Sequence, residues 1–261
     1  MEVVILPTAA DGGRVVADIV AAVLQRGHDP VNLGLATGSS PLLAYRELIR
    51  RCRDEGLSFA RAAAFLLDEY VGLPAGHPES YRQVIRRELT DHVDIDPGAV
   101  HSPDGTRPDP VAAAADYEDV LLAAGPIRVQ ILGIGTNGHL GFNEPGSSLA
   151  SATRVKTLTR QTRADNARFF DGPHEVPRHV LTQGLGTIGR AEHLVLTASG
   201  PHKAAAIAAA VEGPLTASCP ASVLQLHPHA TVVVDEAAAG RLANAEFYRE
   251  IHEHKPAGQG Y

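Results

Sequence analysis

Asn137, His139 and Glu144 place an amide, an imidazole and a carboxylate in one short loop, Gly133-Ile134-Gly135-Thr136-Asn137-Gly138-His139-Leu140-Gly141-Phe142-Asn143-Glu144-Pro145-Gly146. An imidazole exchanges protons near neutral pH, and a carboxylate beside it can orient the ring and balance its charge. The glycines let backbone and ligand approach closely. The apolar run 127–134 feeds this loop and reads as a buried parallel strand. Ligands of open α/β sheets bind where strands end, so an ionisable pair at that point is a candidate site. Taken alone, the stretch also fits a glycine-rich turn around one satisfied histidine. Gly133-x-Gly135-x-x-Gly138 matches the dinucleotide fingerprint in form, but Gly141 and Pro145 oppose the helix it needs, and residues 145–164 contain no acid to hold a ribose. Nicotinamide and flavin binding are therefore set aside.

Other residues could serve the same ligand. Asp68 and Glu69 follow the strand-like run 62–67, where carboxylates face the ligand crevice; loop solvation or helix capping is the plainer alternative. Thr37-Gly38-Ser39-Ser40-Pro41 follows the run 31–36 and opens a helical pattern, with Ser40 as N-cap and Pro41 as the first helical residue. Free N–H groups, hydroxyls and the positive helix end favour a phosphate there, although the lysine and spacing of a P-loop are missing. Lys203 falls in the first turn of an Ala-rich helix, a placement that opposes the helix dipole unless an anion shares that end. Between 154 and 168, Arg154, Lys156, Arg160, Arg163 and Arg168 face only one acid, Asp165, which marks an anion-directed, mobile segment. His227-x-His229 and His252-x-His254 lack the ligand spacing of a zinc site and read as surface residues, and there is no Gly-x-Ser-x-Gly elbow.

The elements that must position these groups alternate. Strand-like runs cover residues 2–6, 31–36, 62–67, 127–134, 193–198 and 231–234. Helical patterns lie between them: one from Val15 that Gly27 stops, then 42–53, about 79–92, 111–124, the stretch after Lys203, and about 236–253. No repeat or linker divides the chain, so residues 1–261 are expected to form a single doubly wound, Rossmann-like α/β domain with a mostly parallel sheet, right-handed crossovers and a mobile basic lid. With 44% apolar residues in 261, the chain can bury a sizeable core. A net charge of −7 gives no general attraction to nucleic acid or an anionic membrane, so an anion must be held by local basic groups. Cys52 and Cys219 are the only cysteines, the first residues lack the basic and apolar regions of a secretory leader, and no apolar run is long enough for a membrane helix, all of which points to the cytoplasm.

Taken together, Asp68-Glu69-Tyr70-Val71-Gly72-Leu73, the Gly135–Pro145 loop and Thr37-Gly38-Ser39-Ser40-Pro41 make the chain resemble the glucosamine-6-phosphate deaminases of the glucosamine/galactosamine-6-phosphate isomerase family. The likeness runs nearly end to end, through Ser148-Leu149-Ala150-Ser151, Arg154-Val155-Lys156-Thr157-Leu158-Thr159, Asn166-Ala167-Arg168-Phe169-Phe170, Leu181-Thr182-x-Gly184-x-Gly186-Thr187 and Leu224-Gln225-Leu226-His227-Pro228. It implies a cytoplasmic enzyme of amino-sugar (N-acetylglucosamine) catabolism, without metal or organic cofactor, that turns glucosamine 6-phosphate and water into fructose 6-phosphate and ammonia. Asp68, ionised, would take the C2 proton of the open sugar. His139, with Asn137 and Glu144, would handle protons during ring opening. Thr37, Gly38, Ser39, Ser40, Arg168 and Lys203 would hold the phosphate. Some relatives carry aspartate where this chain has Asn137; an amide cannot exchange a proton, so residue 137 reads as a hydrogen-bond orienter. Ser147, Arg154, Lys156, Thr157 and Tyr248 match positions that bind the activator N-acetylglucosamine 6-phosphate across a subunit boundary in hexameric members, so the resemblance also implies an allosteric homo-oligomer, possibly a hexamer. A related 6-phosphogluconolactonase would carry Asp-Glu-Arg where this chain has Asp68-Glu69-Tyr70, and a sugar-phosphate-sensing regulator would need residues for a DNA-binding domain.

Overall fold

The computed structural model describes residues 1–26, 30–170, 172, 174–256 and 259–261. Strands β1 (Glu2–Leu6), β2 (Val31–Leu35), β3 (Ala62–Leu66), β5 (Val100–His101), β6 (Val129–Leu132), β9 (Leu194–Ala198) and β10 (Ala230–Asp235) form a parallel sheet in the order β1-β10-β9-β6-β2-β3-β5. Both faces of the sheet are covered. Val3, Ile5, Leu194, Leu196, Val232 and Val234 join one buried cluster, while the alternate residues Val4, Val195 and Val233 join the other. This is why the strands read as continuous apolar runs rather than as alternating ones.

Helices α1 (Ala9–Gln25), α2 (Leu42–Glu55) and α3 (Tyr81–Glu88) supply the second cluster through Val16, Val20, Tyr45, Leu48 and Ile85. Helices α4 (Pro110–Ala124), α6 (Leu185–Ile188), α7 (Ala204–Val211) and α8 (Glu236–Ala239) supply the first through Tyr117, Leu121, Leu185, Ile207 and Ala238. The doubly wound arrangement expected from the sequence is thus present. Local chemistry sets the helix ends. Thr8 and Asp11 form a capping box at α1, Asp109 caps α4 ahead of Pro110, and Gly56 closes α2 at φ 74°. Gly27, expected to stop α1, lies outside the described residues.

Several expectations change. The strand taken to span 62–67 ends at Leu66, and Asp68–Tyr70 is a separate strand, β4. It pairs antiparallel with β8 (His179–Thr182), which pairs in turn with β7 (Arg154–Thr157) in a second, three-stranded sheet. The basic stretch therefore begins as an edge strand and continues as α5 (Arg160–Asn166) and a 3-10 turn, Ala167–Phe169. The helix expected over about 79–92 is only α3 with a 3-10 turn, Thr90–His92, behind it. The helix expected over about 236–253 is two, α8 and α9 (Ala245–Glu253), separated by a break that begins at Gly240. Among the described residues no helix is long and apolar enough to cross a membrane.

Candidate active site

Four neighbouring strands of the main sheet deliver the candidate groups. From β2 the chain steps outward to β3 and β5, returns to β6 on the other side of β2, and then continues to β9. The loops after β2 and β6 consequently leave in opposite directions and open a crevice at the carboxyl ends, the usual ligand position in such sheets. Thr37–Ser40 follows β2, Asp68 follows β3, the 133–146 loop follows β6 and Lys203 follows β9. Two close approaches join these loops. A Cβ on Gly133 would lie 3.6 Å from Ser40 Cβ, and one on Gly141 would lie 3.3 Å from Asp68 Oδ2.

The proton-handling loop is wired in one direction. Asn137 Nδ2 donates to Glu144 Oε2 at 2.7 Å, and Asn137 Oδ1 lies 2.7 Å from His139 Nδ1. An ionised carboxylate only accepts, so the amide turns its NH2 group to Glu144 and its oxygen to the ring. The hydrogen on the imidazole is thereby assigned to Nδ1, which leaves the Nε2 lone pair as the basic position of neutral His139. His139 Nδ1 and Glu144 Oε2 are 3.7 Å apart, with the Asn137 amide bonded to both. The loop can form because Gly135 carries no side chain: a Cβ there would fall 2.2–2.5 Å from three atoms of the His139 ring. Gly138 adopts φ 84° and packs against Cys219, where a Cβ would lie 2.6 Å from Sγ.

The two acids of β4 divide between the alternatives that the sequence left open. Glu69 supports the start of α3, where Ser80 is the N-cap, by accepting the backbone N–H groups of Tyr70 at 2.8 Å, Tyr81 at 2.9 Å and Arg82 at 3.0 Å. Its carboxyl is nonetheless pushed up by burial, which those three N–H groups oppose. Asp68 is 5% exposed, and its carboxyl is pushed well above the ordinary range, first by burial and second by the charge of Glu69. Burial thus works against the ionised form that the resemblance implies for Asp68. Burial favours the neutral acid, and no hydrogen bond among the described residues offsets it. Tyr70 and Tyr81 stand beside it, hydroxyl to hydroxyl at 3.3 Å, and burial pushes Tyr70 up to about 12.

At the anion loop, Ser40 does not cap α2. The helix begins one residue later than expected, at Leu42 after Pro41, and among the described residues no side chain caps it, which leaves its first N–H groups available to a ligand. Lys203 ends the 3-10 turn Pro201–Lys203 that runs directly into α7, so it stands in the first turn of that helical run, and its Nζ donates to the Ile134 carbonyl at 2.6 Å. That bond anchors the ammonium against the loop after β6. Arg168 sits in the 3-10 turn after α5, its guanidinium 4.7 Å from the centroid of the Phe169 ring.

The remaining predicted positions lie elsewhere. Ser147 is buried, and its Oγ has no hydrogen-bond partner among the described residues. Arg154 and Lys156 are two apart on β7 and so share a face of the small sheet, whereas Thr157 points the other way. Burial pushes the Arg154 guanidinium down, and its Nη1 donates to the Ala152 carbonyl at 3.3 Å. Tyr248 lies on α9 near Glu212. His227, read as a surface residue, is instead buried, with ring nitrogens 2.7 Å from the His229 carbonyl and 2.8 Å from that of Ala191. Among the described residues no three His, Cys, Asp or Glu side chains group closely enough to hold a metal ion.

Sequence reasoning missed Thr162, whose hydroxyl donates to Glu144 Oε1, and Thr182, whose Oγ1 accepts from the Phe142 N–H at 3.1 Å. The spacing of Thr159, an N-cap, and Thr162 three residues on was the only local signal for the first.

A doubly wound α/β protein with an imidazole–amide–carboxylate relay, a buried aspartate and a lysine around one strand-end crevice has the parts of an acid–base enzyme acting on an anionic substrate. Residues 8–234 match the family described as glucosamine-6-phosphate isomerases/6-phosphogluconolactonase. The chain is 62% identical over its whole length, and the whole of its relative's, to a glucosamine-6-phosphate deaminase of Rhodococcus opacus. A solved monomeric glucosamine-6-phosphate deaminase, 39% identical, superposes with a TM-score of 0.90 over 92% of this chain and 100% of that one. A 6-phosphogluconolactonase of Trypanosoma cruzi, 20% identical, shares the fold with a TM-score of 0.73 over 93% of this chain and 97% of its own. The chain belongs to the glucosamine-6-phosphate isomerase/6-phosphogluconolactonase family, on its glucosamine-6-phosphate deaminase branch.

Proposed function

We propose that the chain, acting as one domain over residues 1–261 in the cytoplasm, converts glucosamine 6-phosphate and water into fructose 6-phosphate and ammonia, a step of N-acetylglucosamine catabolism. The observation that carries this reading is the meeting of the His139 relay with buried Asp68 at the carboxyl ends of β6 and β3. The open helix end after Thr37, Gly38, Ser39 and Ser40, with Lys203 and Arg168, holds the phosphate and so fixes the sugar by contacts remote from the chemistry. His139 Nε2 exchanges the proton that moves between ring oxygen and anomeric hydroxyl as the pyranose opens. Asp68 then removes the C2 proton to give the enolamine. The cationic amino group of the sugar, seated beside Asp68, favours the charged carboxylate and works against burial. Return of a proton to C1 gives the ketose imine, and water releases ammonia and fructose 6-phosphate. No step calls on a metal or an organic cofactor. Incubating the protein with glucosamine 6-phosphate and assaying both products tests this directly; the appearance of neither would sink it.

The protein is further proposed to be a homo-oligomer, in its fullest form a hexamer, activated by N-acetylglucosamine 6-phosphate at Ser147, Arg154, Lys156, Thr157 and Tyr248. The unpartnered Ser147 hydroxyl and the two cations on one face of β7 support an anion there. Phe247 and Ile251, 57% and 50% exposed and one turn apart on α9 beside Tyr248, support a subunit contact. Coupling to catalysis has a short route, since Arg154 and Asp68 both stand in register with Thr182 across the small sheet.

A further inference from the structure

Glu144 has two oxygens, and the His139 relay uses only one. Oε2 accepts from Asn137 at 2.7 Å, while Oε1 accepts from the hydroxyl of Thr162 on α5, a residue distant in sequence and buried. The Thr159 and Thr162 hydroxyls are 2.9 Å apart, and the Thr162 N–H donates to Thr159 Oγ1 at 3.1 Å. Each hydroxyl has one hydrogen. Thr162 spends its own on Glu144, so Thr159 donates to Thr162, and every bond from α5 to the imidazole then points toward the carboxylate. One helical turn beyond, on the same face of α5, Asn166 Nδ2 donates to the Tyr70 hydroxyl at 3.0 Å, next to Asp68. The inner face of α5 thus grips both halves of the site, through Glu144 and through Tyr70.

We infer that Thr162 is a positioning residue for the reaction: its hydroxyl fixes the Glu144 carboxylate, and through Asn137 the tautomer and orientation of His139, so that the ring-opening machinery is complete only when α5 is seated. Thr162 touches neither sugar nor phosphate in this scheme. It acts through a chain of three hydrogen bonds, the last of which selects the ring nitrogen that carries the proton. With the Thr162 hydroxyl gone, Glu144 Oε1 loses its donor and the carboxylate is free to rotate away from Asn137. Positioning failures of this size typically cost one to two orders of magnitude in rate.

The inference rests on the deaminase reading, and the experiment keeps the two apart. Wild-type turnover of glucosamine 6-phosphate is measured first; its absence would end the deaminase reading, whatever Thr162 does. Thr162→Val keeps the shape and the backbone N–H to Thr159 and removes only the hydroxyl, while Thr162→Ser keeps the hydroxyl. The expected result is that Thr162→Val lowers kcat by about tenfold or more with KM changed by less than about twofold, and that Thr162→Ser recovers most of the loss. In an Asn137→Ala background, where the relay is already cut, Thr162→Val should cost less than about twofold more, since residues acting in one chain are not additive. An unchanged kcat in Thr162→Val, a loss confined to KM, or a full multiplicative loss in the Asn137→Ala background would each overturn the assignment. Thermal unfolding of every variant separates these outcomes from loss of fold.

Discussion

Replacing Asp68 by asparagine should have two effects of opposite sign, both traceable to its burial. The substitution nearly conserves volume and leaves the β4–β8 pairing, which runs through backbone atoms, in place. Losing a positioned base costs about 100-fold or more in kcat, at least about 2.7 kcal/mol of barrier. Stability should respond otherwise. The folded chain holds the Asp68 proton at pH values where the unfolded chain has released it, because burial and Glu69 push the carboxyl up. The group's contribution is therefore fully present below the unfolded pKa, near 4, and is lost as pH rises toward the raised folded value. One such proton gives a slope of up to about 1.4 kcal/mol per pH unit inside that window. Glu69, whose carboxyl burial also raises, adds a slope of the same sign in both proteins. Denaturant titrations of wild type and Asp68→Asn from about pH 4 to about pH 8 should show the mutant gaining on the wild type as pH rises. Deuterium incorporation at C2 during turnover should fail in the mutant. Parallel stability curves would refute the burial argument, and near-normal exchange at C2 would make another group the base.

Lys203→Ala and Arg168→Ala should each remove a charge-assisted phosphate contact of about 1.5–3 kcal/mol, raising KM roughly 10- to 150-fold; equal use of glucosamine without its phosphate would refute that assignment. Gly135→Ala should cut kcat by about 100-fold while leaving the sheet intact, because a Cβ at 2.2–2.5 Å from the His139 ring must displace it; unaltered kcat with an unaltered melting curve would show that the ring has another seat. In a substrate titration, N-acetylglucosamine 6-phosphate should tighten binding by about 1–3 kcal/mol, and light scattering should report a mass above that of one chain. Hyperbolic kinetics from a monomer indifferent to the acetylated sugar would remove the regulatory proposal and leave the catalytic one.

Much of this protein was legible in the chain as written. Apolar runs without alternation announced strands buried on both faces, and Val3 to Ile5 or Val232 to Val234 can be buried on alternate sides only in such a sheet. The loop with Asn137, His139 and Glu144 was legible because its members lie within a few residues of one another, so backbone sterics and short-range hydrogen bonds determine its form. The roles of Asp68 and Glu69 were not. Adjacent on a strand, they point to opposite faces, and which of them reaches the first N–H groups of α3 and which enters the crevice depends on how β4 leaves the main sheet for the small one. Lys203 and Ser40 meet the loop after β6 only because β9 and β2 flank it. Thr162 was invisible for the same reason, since its partner Glu144 belongs to another element. Periodicity states which face of an element is buried; it does not state which strand stands beside which. That order is set by the packing of the whole sheet, and it alone brought these side chains together.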